Sequence, residues 1–256
     1  MKYAHYILGT GTSQGVPLIS CKCAVCASAD ERDKRLRSSV ALTVGEQYIV
    51  IDSGPDFRQQ MLRDNATHLD AIVFTHEHKD HIAGLDDVRA FNFTTGKPVN
   101  VYCTEQVEEA LRREFHYAFS EKKYPGVPQI ILNRIENAPF NINGINFTPI
   151  EVLHFKMKVF GFRIGNFTYI TDANFISEEE IRKVIGSEIL VLNGLRREAH
   201  PSHFTLDESL ALIARIKPKE AYLTHISHQL GKHADVTAEL PTNVHLAYDG
   251  LTLELE

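Results

Sequence analysis

Cysteine is scarce in this chain, with four in 256 residues. Three crowd into CKCAVC, and Cys103 stands alone. That is not the disulfide framework of a secreted protein, so a reducing cytoplasm is the expected compartment. A surplus of positive charge is also missing: 27 Lys and Arg stand against 33 Asp and Glu, for a net charge of −6. Nucleic acid is therefore not an expected partner through a generic basic surface. No run is apolar enough to span a membrane, and the opening MKYAHYILGTGTSQG lacks an apolar signal core, so no membrane partner is expected. Repeats, low-complexity tracts and Pro/Ser-rich linkers are absent. With 43% hydrophobic residues, the chain reads as one domain over 1–256 with a substantial core.

Strand-like runs alternate with helical patterns. KYAHYILG begins as a strand, and SSVALTV and QYIVID read as a hairpin around Gly45 and Glu46. DFRQQMLRD predicts a short helix with Asp56 placed to cap it. LDAIVFTH is a buried strand delivering His76, and VNVYC is another strand. TEQVEEALRREFHYAF predicts one amphipathic helix with Val107, Leu111 and Phe115 on a stripe. FTPIEVLH ends in His154, and FGFRIGNFTYITDAN reads as a hairpin turning at Gly165 and Asn166 and ending in Asp172. SEEEIRKVI and TLDESLALIARI are helices opening with capping boxes, Ser177 to Glu180 and Thr205 to Glu208. EILVLNG is a strand, EAYLTHISH a strand ending in His225, and HLAYDGLTLEL closes the chain as β-structure. The class is α/β, with sheets covered by helices.

Polar residues recur just after apolar runs: Asp52, His76, His154, Asp172, His225 and Asp249. Strand ends are where a rigid sheet holds polar groups at its rim, so these could converge on one site. In HEHKDH, His76 and His78 are two apart on a segment leaving a strand, and both imidazoles can face one ion. Asp80 and His81 follow at a turn and can face a second. Each ion needs further ligands, which His154, Asp172 and His225 can supply, and a carboxylate such as Asp172 can bridge two ions. Imidazole suits zinc, iron, nickel or manganese, and carboxylate shifts the preference towards harder ions. Three thiols within six residues, Cys21, Cys23 and Cys26, can wrap one soft ion, with a fourth ligand from elsewhere. Cys103 has no partner motif and reads as a buried strand thiol. His5, His68, His116, His233 and His245 match no metal spacing and read as structural or exposed.

THEHKDH resembles the T-H-x-H-x-D-H signature of the metallo-β-lactamase superfamily. VIDSGPD resembles its strand-end Asp motif, TDA its bridging Asp, THISH its last metal His and AYDG its C-terminal motif. The resemblance implies an αββα sandwich of two mixed sheets flanked by helices, carrying a dinuclear site. His76, His78 and His154 would hold one divalent metal, and Asp80, His81 and His225 the other, with Asp172 bridging. The metals expected are zinc or manganese, with iron a third fit to the same donors. Asp52 would orient a ligating histidine from behind. Within the superfamily, GTGTSQGVPLISCKCAVC resembles the branch containing the phosphodiesterase of the carbon–phosphorus lyase pathway. That branch implies one structural zinc held by Cys21, Cys23, Cys26 and His228, clamping a Cys-rich loop at about residues 9–30.

The same branch places a catalytic histidine before the helix that opens near Thr205. In NGLRREAHPSHFTLDE this position falls on His203, with His200 a competitor three residues away. His203, as a histidine of near-neutral pKa, would protonate the leaving alkoxide, and Asp80 is counted with it among the catalytic positions. Arg196 and Arg197 carry forks that match phosphate oxygens, and Ser13 and Gln14 lie in the Gly-rich N-terminal loop. The resemblance thus implies hydrolysis of a small phosphodiester, specifically a cyclic ribosyl phosphate, by a metal-bridged hydroxide in a homodimer. The alternatives are a tRNA 3′-processing nuclease and a thioester hydrolase of the same superfamily. The net negative charge and the lack of a basic, Gly/Pro-rich arm weigh against the nuclease. The cysteine clamp and His203 would go unexplained in the thioester hydrolase.

Overall fold

A computed structural model describes residues 3–255. Met1, Lys2 and Glu256, at the ends of the expected 1–256 domain, lie outside the described residues, as does the Lys2 start of the first expected strand. The contacts divide the chain into two compact units. One comprises Met1–Leu8, Ser39–Glu136 and Thr252–Glu256, and the other Gly9–Ser38 and Asn137–Leu251.

The first unit is built on the strands β1 (Tyr3–Gly9), β2 (Ser39–Val44), β3 (Gln47–Ile51), β4 (Ala71–Val73), β5 (Val99–Cys103) and β6 (Ile130–Arg134), in that spatial order. The closing strand Thr252–Leu255 pairs antiparallel with β1. β2 and β3 form the expected hairpin, with Val44 opposite Gln47. Its two-residue loop works because Gly45 takes a left-handed φ of 62°, which matches the twist of the flanking strands. From β3 to β6 the neighbours are parallel. β4 is buried throughout, as strands covered on both faces are. The helices are α1 (Phe57–Arg63), α2 (Lys79–Ile82), α3 (Arg89–Thr95), α4 (Glu105–Glu114) and α5 (His116–Phe119). Phe57, Leu85, Val107, Leu111 and Phe115 close the core over Val50, Ile72 and Val101.

Two local expectations need correction here. Asp56 stands at the N-cap of α1 but makes no capping hydrogen bond. The single helix expected over 104–119 breaks at Phe115, whose φ of −113° and ψ of 37° are not helical. Its N–H still closes the last turn of α4 on Leu111, and Ala118 N–H bonds back to Phe115 O. The break keeps both Phe115 and Ala118 in the core.

The second unit holds β7 (Phe140–Ile142), β8 (Ile145–His154), β9 (Met157–Ile164), β10 (Phe167–Ile170), β11 (Phe175–Ile176), β12 (Ile189–Asn193), β13 (Glu220–Thr224) and β14 (Val244–Leu246). The spatial order is β11-β8-β9-β10-β12-β13-β14, with β7 on β8. The β8–β9 and β9–β10 pairs are antiparallel hairpins, and β10, β12, β13 and β14 run parallel. Its helices are α6 (Glu178–Val184), α7 (Leu206–Ile216) and α8 (His233–Thr237). Ile181, Val184, Leu212, Ile213 and Val236 pack with Leu190, Leu192 and Leu223. α7 opens with both halves of its capping box, Glu208 N–H to Thr205 Oγ1 at 3.2 Å and Thr205 N–H to Glu208 Oε2 at 2.8 Å. α6 makes only one half. Ser177 accepts from Glu180 N–H, but the Glu180 carboxylate accepts instead from Asn137, Lys183 and Glu151 N–H. Three donors outcompete one cap bond.

Two mixed sheets, each with its own helices, thus give the α/β architecture. Among the described residues, no helix is long and apolar enough to cross a membrane.

His5 on β1 is fully buried. Burial lowers its pKa from 6.5 to about 4, against a partial upward pull from the Leu253 backbone. The unfolded chain therefore takes up this proton first as pH falls. The stability associated with neutral His5 is complete above pH 6.5 and is lost as pH drops from 6.5 through about 4. Urea titrations should show that His5→Leu loses less stability than the parent between pH 7 and pH 5, by about 2 kcal/mol. Parallel losses in the two proteins would remove His5 as a source of acid sensitivity.

Candidate metal centre

In the first unit the chain leaves β4 and runs through Thr75, His76 and His78 into α2. His78 occupies the N-cap position in an extended conformation, and Asp80 and His81 lie in the helix's single turn. His76 and His81 are buried and His78 is exposed. The His76 ring lies 4.7 Å from that of His78 and 4.1 Å from that of His81. Asp80 Oδ2 is 3.2 Å from His81 Nε2. Behind them, Asp52 follows β3 directly and is wholly buried, with a left-handed φ of 66°. Its Oδ2 accepts from His81 Nδ1 at 2.7 Å and from Thr75 Oγ1 at 2.8 Å, and its Oδ1 accepts from Thr75 N–H at 2.9 Å. Burial pushes this carboxyl above the usual range, while His81 and the Thr75 donors pull it back. With Nδ1–H committed to Asp52, His81 keeps Nε2 as the nitrogen that can ligate. Gly84 holds the turn in place. Its N–H bonds Ser53 O at 2.8 Å, and a Cβ there would sit 2.1 Å from Gly54 O.

In the second unit His154 ends β8 and donates Nδ1–H to Ser202 O at 2.9 Å. Asp172 lies two residues beyond β10 and His225 directly beyond β13, with left-handed φ values of 52° and 55°. Asp172 Oδ2 accepts from Thr171 Oγ1 at 2.6 Å and lies 3.2 Å from His225 Nδ1. His203 is buried, with its ring 4.7 Å from both His154 and His225 and 5.0 Å from His200. Its Nδ1 is buried without a hydrogen bond, and Asp172 Oδ1 is 3.9 Å away. Imidazoles gathered around one carboxylate form a nitrogen-and-oxygen donor set suited to zinc, manganese or iron.

A cleft of about 200 Å³ opens beside His203 and His200, lined also by Ser13, Gln14, Arg196 and Gln229. Arg196 is held there by bonds to Glu198 O, Ala199 O and Gln229. Arg197 does not line the cleft and pairs with Glu239 at 2.7 Å. The structure thus separates two arginines that the sequence treats alike. A larger groove of about 470 Å³ lies in the first unit, lined by Phe57, Met61 and Phe91. It holds none of the candidate ligands, so the smaller cleft is the one with chemistry. Asp249, grouped in the sequence with the rim residues, accepts from Thr10 Oγ1 and Leu36 N–H, each at 2.8 Å.

Cys21, Cys23, Cys26 and His228 bring four donor atoms within 4.8 Å of one another. His228 Nδ1 is 3.3 Å from Cys23 Sγ and 3.5 Å from Cys21 Sγ. These separations approach the roughly 3.6 Å sulfur–nitrogen edge of a tetrahedron with metal–sulfur bonds of about 2.3 Å and metal–nitrogen bonds of about 2.0–2.1 Å. Three sulfurs and one imidazole fit zinc.

Residues 47–226 match the family described as "Beta-lactamase superfamily domain". A crystal structure of a diphosphatase from the PhnP family superposes with a TM-score of 0.94 and 41% identity, over 100% of this chain and 98% of that one. The chain belongs to the β-lactamase superfamily, in its PhnP family. The fold implies divalent metals. The short form of human tRNase Z, at 18% identity, a TM-score of 0.69 and 98% coverage of each chain, shares the fold. An octanoyltransferase of Porphyromonas gingivalis is 38% identical over 248 residues, 96% of this chain but 50% of that protein. The chain spans half the length of that relative.

For this superfamily member, two features of the site escaped sequence reasoning. One is the set of supports: Thr75 and Thr171 stand inside THEHKDH and TDA with no role read for them, and Ser202 directly precedes His203 with no pattern of its own. The other is the protonation of His203. Instead of a near-neutral pKa, burial first and His225 second hold it at about 2, with Asp172 opposing. In the clamp, the Cys26 N–H and then His228 lower the Cys23 thiol to about 6, while burial raises Cys26 to about 11. Burial likewise raises Cys103 to about 12, leaving an inert thiol.

Two measurements follow. Cys23→Ser should lose a tightly held zinc by elemental analysis, and unchanged zinc content would refute the clamp. Asp52→Asn should weaken divalent-metal binding by about 10–100-fold in a Mn²⁺ titration, because an amide nitrogen facing Nδ1 turns His81 to the wrong tautomer. Unchanged affinity would detach Asp52 from metal binding.

Proposed function

We propose that this chain is a dinuclear metal-dependent phosphodiesterase that hydrolyses a small phosphodiester, with a cyclic ribosyl phosphate as the specific candidate. His76, His78 and His154 would hold one divalent ion and Asp80, His81 and His225 the other, with Asp172 serving both. Such a pair, when bound, supplies positive charge for the anionic transition state and activates water. Cys21, Cys23, Cys26 and His228 would hold a structural zinc that clamps the N-terminal loop.

The observation that carries the reading is His203, a buried imidazole lining the cleft, 4.7 Å from the rings of two proposed ligands. Burial and neighbouring imidazoles keep it neutral in the free protein. An anionic phosphodiester beside it would add to the pull of Asp172 and load it with the proton that a leaving alkoxide requires. Arg196, on the same cleft, suits a phosphate oxygen. The 41% identical relative is named a diphosphatase, so a diphosphate ester is the second substrate class to test. The octanoyl transfer named for the longer relative is not carried over, because this chain matches only half of it.

His203→Ala should retain its metals and lose about 10²–10⁴-fold in rate on a cyclic ribose phosphate. It should lose much less on a p-nitrophenyl phosphodiester, whose leaving group needs no proton. Equal losses on both substrates would reject the general-acid role. Metal loss would make His203 a ligand, since it offers an atom within 4.8 Å of donors from His154 and Asp172. Cleavage of precursor tRNA with small phosphodiesters untouched would move the chain to the nuclease reading.

A further inference from the structure

Arg35 is a buried cation that the proposed hydrolysis does not use, with only 3% of its surface exposed. Its Nη1 donates to Thr10 Oγ1 at 2.8 Å and to Ala247 O at 2.7 Å, and its Nη2 to His233 Nδ1 at 3.3 Å. Thr10 Oγ1 in turn donates to Asp249 Oδ1, whose other oxygen accepts from Leu36 N–H. The next residues continue the chain of contacts. Thr10 O accepts from Ile226 N–H at 2.8 Å, and Thr12 N–H donates to Ile226 O at 3.1 Å. Gly11 N–H bonds Leu36 O at 2.7 Å, and a Cβ on Gly11 would lie 2.8 Å from Arg35 O. Ile226 directly follows His225. Thr12, Ser13 and Gln14 form one wall of the cleft that holds His203.

We propose that Arg35, acting through Thr10, Asp249 and Ile226, is a positioning residue that sets the cleft wall at Thr12–Gln14 and the seat of His225. The proposal rests on the phosphodiesterase reading of that cleft. The three acceptors are a hydroxyl, a carbonyl and an imidazole nitrogen in different directions. A planar fork with several fixed N–H groups meets all three at once, and a lysine ammonium on a flexible stem does not. Burial lowers the guanidinium to about 10, with Asp249 and then Asp33 opposing, so it stays charged at neutral pH. Asp33 also accepts from His233 N–H at 2.7 Å, which fixes the histidine that Arg35 meets.

The test is Arg35→Lys in the metal-loaded chain, with Asp249→Asn as a second variant should the first fold poorly. The expected result is a KM for a small phosphodiester raised about tenfold, with kcat changed by less than about threefold. Amide exchange at Gly11, Thr12 and Ile226 should be about tenfold faster, and Mn²⁺ binding weaker. KM and exchange at these amides equal to the parent would overturn the proposal. So would a lowered Tm with both quantities unchanged in the folded protein, which would make the network merely structural. If the parent hydrolyses no phosphodiester, the functional reading falls on its own. Exchange and Mn²⁺ affinity then still decide the role of Arg35, faster and weaker supporting it, unchanged refuting it.

Discussion

Three of the candidate site residues stand just beyond a strand in left-handed backbone. Asp52, Asp172 and His225 follow β3, β10 and β13 with φ of 66°, 52° and 55°. The left-handed region costs an L-residue on the order of 1–2 kcal/mol, and Asp and His tolerate it better than most. The strands behind them are rigid and buried, so the turn happens abruptly at the rim. Each such residue can then reach partners that a continuing strand would deny it: Thr75 and His81 for Asp52, Thr171 for Asp172, and Ser38 and Thr171 for His225. Strain of this kind persists where the surroundings over-determine it, and the hydrogen bonds to each side chain do so here.

The second unit adds a further constraint on its N-terminal loop. At one end, four soft donors from Cys21, Cys23, Cys26 and His228 converge. At the other, Arg35 and Asp249 fasten Thr10 and Leu36. The loop packs a small core of Val16, Val25 and Cys26, with Leu18, Cys21 and Cys23 beside them. So small an apolar cluster buries little surface, so polar bonds and thiolates must do what packing does elsewhere. Ser13 and Gln14 lie between the two fastenings, where they line the cleft.

Much of the fold was legible. The β2–β3 and β9–β10 hairpins turn where glycine and its neighbours predict, and α7 carries its full capping box. The failures share a cause. Ser177 and Glu180 match the capping-box pattern, but Glu180 finds Asn137, Lys183 and Glu151 N–H in competition. The periodicity of residues 104–119 is continuous, yet the core holds Phe115 out of helical geometry. Arg196 and Arg197 are equivalent as text, and only the position of Glu239 draws one of them away.

By itself, the sequence determined which donor types exist and how they cluster: the HEHKDH run, the three thiols of CKCAVC, and polar residues placed after apolar strands. Those are short-range facts, set by chelate spacing and by the alternation of strands and helices. Tertiary structure decided which imidazole nitrogen is left free, which arginine faces the cleft, and that His203 rests neutral rather than poised near pH 7. It also paired Asp249 with Thr10, 239 positions away. Protonation depends on burial, and hydrogen-bond partners depend on which distant segments are brought together, so neither quantity is carried by local pattern.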